Sequence, residues 1–348
     1  MSGKVLMKGN DALGEGAIRA GCLAYFGYPI TPQNELTEYM AKRMLEEKRV
    51  FVQSESELAA INMVLGASAA GVRAMTSSSS PGISLKQEGI SYMAGCELPG
   101  LIVNVQRGGP GLGNIAGSQA DYFQATKGGG HGDYHLIVLA PSSVQEMYEM
   151  PGLAFSLAEQ YRNPVMILSD GVIGQILEPM ELVKVDTARK GDRSWVLDGA
   201  KGRPPRKIRS LLMEEGALEK HNIKLQEKYK EIKEKEQRFQ AQNVEDAEII
   251  LVAYGTSARI GFTVMQEARA QGLKVGLLRP VTLWPFPADI ITKLTARAKA
   301  FLVIEMSAGQ MVEDVMLAVN GRKPVKFIGR AGGGIPTEEE VLKAVKAI

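Results

Sequence analysis

Residues Phe51 to Gly82 read FVQSESELAAINMVLGASAAGVRAMTSSSSPG. Phe51-Val52-Gln53 is a short β-type run. The carboxylates Glu55 and Glu57 follow, and Leu58 to Ala70 is a helix rich in alanine and other small residues. Gly71 stops that helix, Val72 to Thr76 reads as a buried strand, and Ser77 to Gly82 reads as a polar turn. The unit is strand–helix–strand, with acids at the carboxyl end of the first strand and hydroxyls at that of the second. Open parallel sheets bind ligands at those carboxyl ends. The neighbours of the acids are apolar or small, and no Lys or Arg lies within ten residues on the helix side. A carboxylate there is poorly solvated and could share a proton with a heteroaromatic nitrogen of a cofactor. The plainer alternative is a cap, with Ser54 or Ser56 as N-cap and a Glu in the first turn facing the helix dipole. The stretch alone leaves both readings open.

Outward from this unit the chain keeps alternating strand and helix. On the amino-terminal side, Asn10 can cap a helix bearing Leu13, Ala17, Ile18 and Cys22 on one face, and Ala24-Tyr25-Phe26 is a strand candidate. Gly27-Tyr28-Pro29-Ile30-Thr31-Pro32 follows, where two prolines stiffen an extended backbone and present the Thr31 hydroxyl. On the carboxyl side, Leu101 to Val105 is a continuous apolar run of the kind found in buried parallel strands. At its end stands Gln106-Arg107-Gly108-Gly109-Pro110-Gly111-Leu112-Gly113. An Arg before so many glycines could clamp a carboxylate with two parallel hydrogen bonds, or be a surface Arg before a loop. Glycine-rich segments around Gly117–Asp121 and Gly128–Asp133 lengthen this connection, and long loops in compact domains tend to be functional. Strands at Leu136–Leu139 and Pro164–Leu168 flank a helix from Pro141 to about Gln160. The pattern predicts an α/β fold with an open, mostly parallel sheet.

Beyond Val183 the character changes. Leu218, Leu225, Ile232 and Phe239 recur at seven-residue steps in a charged helix, predicting a rod with one narrow apolar stripe. From Glu248 a second α/β unit begins, with strand candidates at Ile249–Ala253, Lys274–Leu278, Ala300–Ile304 and Val325–Ile328. Its last helix opens on a capping box at Thr337. The expected division is residues 1–185, a linker over 186–245, and residues 246–348. Acids and hydroxyls are sparse in the last part, which reads as scaffold and interface.

Composition bounds the function. At 348 residues the chain can bury two cores, and 45% hydrophobic content is ordinary for a globular protein. A net charge of +2 and 6% aromatic residues give no reason to expect nucleic acid. No run of roughly 18 apolar residues occurs, so no membrane span is expected. MSGKVLMKGN lacks a signal-peptide apolar region, and a cytoplasmic location is expected. Cys22 and Cys96 cannot supply the four thiolates of a 4Fe–4S cluster. His131, His135 and His221 have no zinc-ligand spacing, and no P-loop or dinucleotide fingerprint occurs.

The order GYPITPQNE, QSESELAAINMVLGASAAG, TSSSSPG, QRGGPGLG, HGDYH and RNPVMILSDG resembles the alpha-type subunit of 2-oxoacid:ferredoxin oxidoreductases. LRPVTLWPFP resembles the transketolase C-terminal-type domain of the same subunit. The wording SSSSPGIS and GLGNIAGSQADYFQATKGGGHGDY is most like the branched-chain, 2-oxoisovalerate enzymes. The resemblance implies a pyrimidine-type thiamine diphosphate-binding domain over 1–185 and a transketolase C-terminal-like domain over 246–348. It implies thiamine diphosphate shared with a beta subunit that carries the diphosphate and Mg²⁺ site, a gamma subunit, and a ferredoxin-like delta subunit holding 4Fe–4S clusters. No metal is expected on this chain. The reaction implied is oxidative decarboxylation of a 2-oxoacid to an acyl-coenzyme A and carbon dioxide, with electrons passing to ferredoxin. Glu57 lies nine residues before Gly66, where the family holds the acid that shares a proton with the cofactor's pyrimidine nitrogen. Glu55 is the runner-up, and Pro29 and Ile30 fall in the cofactor-binding loop. Thr31 and Arg107 sit where the family holds the substrate carboxylate. Asp121 and Asp133 would support the loops. The alternatives are the same reaction on 2-oxoglutarate or pyruvate, a cluster-free thiamine-dependent transferase, and a non-catalytic docking scaffold.

Overall fold

The structure is a computed structural model and describes residues 3–185 and 188–348. The residue expected to open the linker, Asp186, lies outside the described residues. The chain begins with β1 (Val5–Lys8), α1 (Gly9–Arg19), β2 (Ala24–Gly27), α2 (Asn34–Glu46), β3 (Val50–Gln53), α3 (Glu57–Ala69), β4 (Ala74–Ser78), α4 (Ser80–Gly95) and β5 (Gly100–Gln106). It continues with α5 (Tyr122–Thr126), β6 (Ile137–Leu139), α6 (Val144–Tyr161), β7 (Pro164–Asp170), α7 (Gly171–Gln175), β8 (Leu177–Met180) and α8 (Ala217–Lys235). The last part holds β9 (Phe239–Gln242), β10 (Ile249–Val252), α9 (Gly255–Ala270), β11 (Val275–Pro280), β12 (Thr282–Trp284), α10 (Ala288–Leu294), β13 (Ala300–Glu305), α11 (Met311–Val319), β14 (Val325–Gly329) and α12 (Glu338–Lys346).

Two larger sheets result. One has the order β12-β6-β7-β5-β4-β2-β3 and is parallel except for β12; the other, β14-β13-β10-β11-β9, is parallel except for β9. β5 and β7 are buried along their whole length, as their unbroken apolar runs require of central strands covered on both faces. The fold is α/β with mostly parallel sheets, as the alternation predicts.

Several boundaries move. β4 runs on to Ser78 and α4 already begins at Ser80, so the expected polar turn over Ser77–Gly82 is a strand end meeting a helix start. Asn10 does not cap α1. It lies inside the helix, buried, and donates to the Pro32 carbonyl (2.8 Å) and Glu35 Oε2 (3.0 Å), tying α1 to the Thr31 loop. The seven-residue stripe is also shorter than predicted. α8 ends at Lys235 and buries Leu225, Tyr229 and Ile232, while Leu218 is half exposed and Phe239 sits exposed on β9. Spacing of four and three residues keeps the buried trio on one helix face. Tyr229 meets Trp284 and His135 edge-on, so α8 is part of the core. The capping box at Thr337 forms as read.

The two sheets are joined by buried polar contacts. Asp170, at the end of β7, accepts from the Thr256 amide (3.0 Å) and hydroxyl (2.7 Å). Gln119 donates to the Tyr254 carbonyl (2.8 Å) and accepts from the Met306 amide (2.9 Å). β12 crosses over to pair with β6 of the first sheet.

Candidate functional site at the strand ends

The carboxyl ends of β2, β3, β4 and β5 lie side by side, and each carries part of one site. At the end of β3, Ser54 donates to the Gly27 carbonyl (3.1 Å), locking this corner to β2. Ser56 is the N-cap of α3, its hydroxyl accepting from the Ala59 amide (3.2 Å). Glu57 is therefore the first residue of the helix, and it is 6% exposed. Glu57 occupies the first turn, as the plainer reading has it, and it is also buried at the strand end. No hydrogen bond among the described residues reaches its carboxylate oxygens. Glu55 is exposed and accepts from the Ser56 hydroxyl (2.8 Å).

Gly82 supplies the room. A Cβ there would stand 2.0 Å from Ser78 Oγ and 2.6 Å from Glu57 Oε1, so only glycine lets α4 start against the acid. Four residues on, the same face of α4 carries Lys86, which is 0% exposed. Its amine donates to the Glu57 carbonyl (3.3 Å). Burial pushes the Lys86 amine down to about 7, against the pull of the Glu57 carboxylate. No Lys or Arg lies within ten residues of Glu57 on the helix side, but chain distance does not measure separation between packed helices.

Just past β5, Arg107 is buried, and its guanidinium donates to the carbonyls of Thr31 (3.0 Å) and Leu112 (2.9 Å). The structure thus brings Arg107 and Thr31 together. Thr31 is half-buried and its hydroxyl accepts from Asn34 (3.3 Å). Pro29 is exposed and Ile30 half-buried on the same loop. Beneath it, buried Gln33 accepts from Ser77 (2.6 Å) and Thr37 (3.2 Å), which anchors the loop to the sheet.

The glycine-rich loop after Arg107 is folded back tightly. The Gly108 carbonyl accepts from the Asn114 amide (3.0 Å), and Arg107 pairs with Gly117 in an isolated bridge. At Gly113, where φ is +61°, a Cβ would fall 1.7 Å from that carbonyl. Asn114 then reaches the Gly332 carbonyl (2.8 Å) of the second half. Asp121 accepts from Ser80 (2.6 Å) and Asn104 (2.8 Å). Burial pushes its carboxyl above the usual carboxylate range, with these two bonds opposing. Asp133 is exposed, and its carbonyl accepts from Gln226 (2.8 Å).

This corner also holds polar atoms without partners. Ser78 Oγ, Ser79 Oγ and Arg107 Nε are buried and unbonded. Such groups cost free energy unless a further group satisfies them. Its rim is apolar: Leu112 is 80% exposed and Ile115 64%. Leu58, Met63 and Leu85 add to the exposed apolar surface on α3 and α4. A cleft of about 790 Å³, lined by Ser142, Arg259, Phe262 and Ile335 among others, contains none of these residues.

Sequence reading misses Gln33, Ser80 and Lys86. A usable signal for Lys86 exists: one lysine in the small-residue run SPGISLKQEGISYMAG, four residues after Gly82 and three before Gly89.

The family model described as pyruvate flavodoxin/ferredoxin oxidoreductase, thiamine diphosphate-binding, matches residues 15–249. Pyruvate:ferredoxin oxidoreductase core domain II matches residues 247–341. The ketoisovalerate oxidoreductase subunit VorB of Methanothermobacter marburgensis is 50% identical over 99% of this chain and 97% of its own length. The 2-oxoglutarate synthase subunit KorA of Methanothermobacter thermautotrophicus is 37% identical over 99% of each chain. The structure of 2-oxoglutarate:ferredoxin oxidoreductase from Magnetococcus marinus, with 2-oxoglutarate, coenzyme A and succinyl-CoA bound, matches with a TM-score of 0.90 at 30% identity. That match covers 99% of this chain, which spans 65% of the solved one. A split-gene transketolase matches at a TM-score of 0.62 and 14% identity, a likeness of fold alone.

Proposed function

Because the chain belongs to the 2-oxoacid:ferredoxin oxidoreductase family, matched over nearly its full length, we propose that it is the thiamine-pyrimidine-binding subunit of a branched-chain 2-oxoacid oxidoreductase. The reaction is oxidative decarboxylation of 2-oxoisovalerate to an acyl-coenzyme A and carbon dioxide, with electrons leaving to ferredoxin. The carrying observation is Glu57: a carboxylate buried at a strand end, to which no described residue donates, near the orphaned hydroxyls of Ser78 and Ser79. The kinship with ketoisovalerate oxidoreductase at half identity supports the substrate.

Thiamine diphosphate, when bound, supplies the electron sink for decarboxylation. Glu57 would share a proton with the pyrimidine nitrogen of the bound cofactor. Ser78 and Ser79 are the donors for polar atoms nearby. Arg107 keeps one unbonded Nε–H for the substrate carboxylate, while its other nitrogens pin the Thr31 and Leu112 loops around that position. The Thr31 hydroxyl is the second carboxylate donor. Glu55, exposed and turned to Ser56, is assigned no cofactor contact. Pro29 and Ile30 form the loop edge that meets the cofactor.

The partners are a beta subunit bringing the diphosphate and Mg²⁺ site, a gamma subunit and a ferredoxin-like delta subunit with 4Fe–4S clusters. The uncovered apolar rim at Leu112, Ile115 and Leu58 is the surface a partner closes. Cys22 and Cys96 are unpaired, which suits the reducing cytoplasm. The test is the assembled complex assayed with coenzyme A and ferredoxin. Turnover of 2-oxoisovalerate should exceed that of 2-oxoglutarate and pyruvate. Equal or faster turnover of 2-oxoglutarate would refute the substrate assignment.

A further inference from the structure

A fully buried lysine with one hydrogen-bond acceptor is unusual, since an ammonium carries three donors. Lys86 has that setting: its amine donates to the Glu57 backbone carbonyl (3.3 Å), and the Glu57 carboxylate acts on it through space. The placement is built by the helix pair. Gly82, Lys86 and Gly89 share one face of α4. Gly82 admits Glu57, and a Cβ on Gly89 would stand 2.5 Å from Ile61, so the backbones approach with the lysine between them. The other acids near α4 are committed elsewhere. Asp121 binds Ser80 and Asn104, Asp170 binds Thr256 and the first amides of α7, and Glu88 accepts from Tyr92 on the exposed side. Glu57 is the charged group left to face Lys86.

We propose that Lys86 is a positioning residue for Glu57, its amine holding the helix start that carries the acid and placing a positive charge near the carboxylate that meets the cofactor's pyrimidine. The inference rests on the assignment of Glu57 above. A charged ammonium favours the ionised carboxylate beside it, whereas a neutral amine does not. Burial brings the amine down to about 7, so the charge that Lys86 presents beside Glu57 changes within the working range of an enzyme.

The test uses the assembled complex, stripped of and then titrated with thiamine diphosphate, carrying Lys86→Met, Lys86→Gln or Glu57→Gln. Two readouts are taken against pH: the dissociation constant for thiamine diphosphate by calorimetry, and kcat with KM for the 2-oxoacid. Removing the positive charge should move the acid limb of both profiles up by about one pH unit. KM should stay within about twofold, since Lys86 does not touch the substrate site. Lys86→Gln keeps a donor to the Glu57 carbonyl without the charge, so it should shift the limb like Lys86→Met and bind the cofactor more tightly than it. Profiles superimposable on wild type in Lys86→Gln would overturn the proposal, also if Lys86→Met failed to assemble. Wild-type turnover in Glu57→Gln would instead sink the assignment of Glu57 itself, whatever Lys86 does.

Discussion

The two halves of the molecule end their strands differently. In the second half, Glu305 at the end of β13 is 0% exposed, yet it is fully engaged. It accepts from the amides of Gln310, Met311 (3.1 Å) and Val312 (3.0 Å) and from the Ser307 hydroxyl (2.8 Å). Arg279 at the end of β11 is likewise paired with Glu146. In the first half, Glu57, Ser78, Ser79 and Arg107 Nε are buried at strand ends with hydrogen-bonding capacity unused. Among the described residues, none of the orphaned buried side-chain atoms falls within 246–348. A strand end whose polar groups are satisfied by its own chain is structural. One whose groups are left over is built for something that arrives later.

This contrast can be broken by mutation. Glu57→Gln should lower turnover by about 10²–10⁴-fold, the range for a lost acid–base group, while leaving the unfolding midpoint nearly unchanged. A stability loss matching the activity loss would erase the distinction between the halves. Glu305→Ala should do the reverse. It strands several amides at the start of α11, so a cost of about 3 kcal/mol in urea unfolding is expected, with turnover per folded molecule retained.

Lys86→Met should stabilise the chain at pH 7 by about 2–4 kcal/mol, because a buried cation is replaced by an apolar side chain of similar length. The sign follows from linkage. The folded amine is lowered from 10.5 to about 7, so between those values the unfolded chain binds the extra proton and wild-type stability rises with pH. The penalty is complete below pH 7, and the gain from Lys86→Met should shrink toward pH 10.5. Unfolding curves at several pH values check this. Arg107→Lys should cost about 10–100-fold in kcat/KM, since one ammonium cannot hold the Thr31 and Leu112 carbonyls as the guanidinium does. Glu55→Gln should change kcat by less than about twofold, being exposed and bonded only to Ser56. A large effect there would make Glu55 the cofactor's partner and refute the reading of Glu57.

Much of this was legible beforehand. The buried run Leu101–Val105 and its terminal Arg107 needed only hydrophobic continuity to be placed. Other features resisted. The stripe at Leu218, Leu225, Ile232 and Phe239 looked regular because charges fill the gaps between them. Yet Tyr229, hidden among those charges, is buried at 1% while Leu218 and Phe239 are not. Side-chain type cannot reveal which face of a helix meets a neighbour. Asn10 looked like a cap because asparagine usually serves that role at helix starts, but it binds a loop 22 residues away. Long-range partners outbid local preference there.

The amino-acid order by itself determined the alternation of strand and helix, the acids and hydroxyls at strand ends, and the family, because periodicity and motif wording are local properties of a chain. Only the tertiary structure decided that Glu57 rather than Glu55 is enclosed, that Lys86 lies behind it, and that Arg107 grips the Thr31 loop. Those facts depend on helices and loops meeting across 29 and 76 residues of chain. Burial, which sets the charge of a group, exists only once they have met.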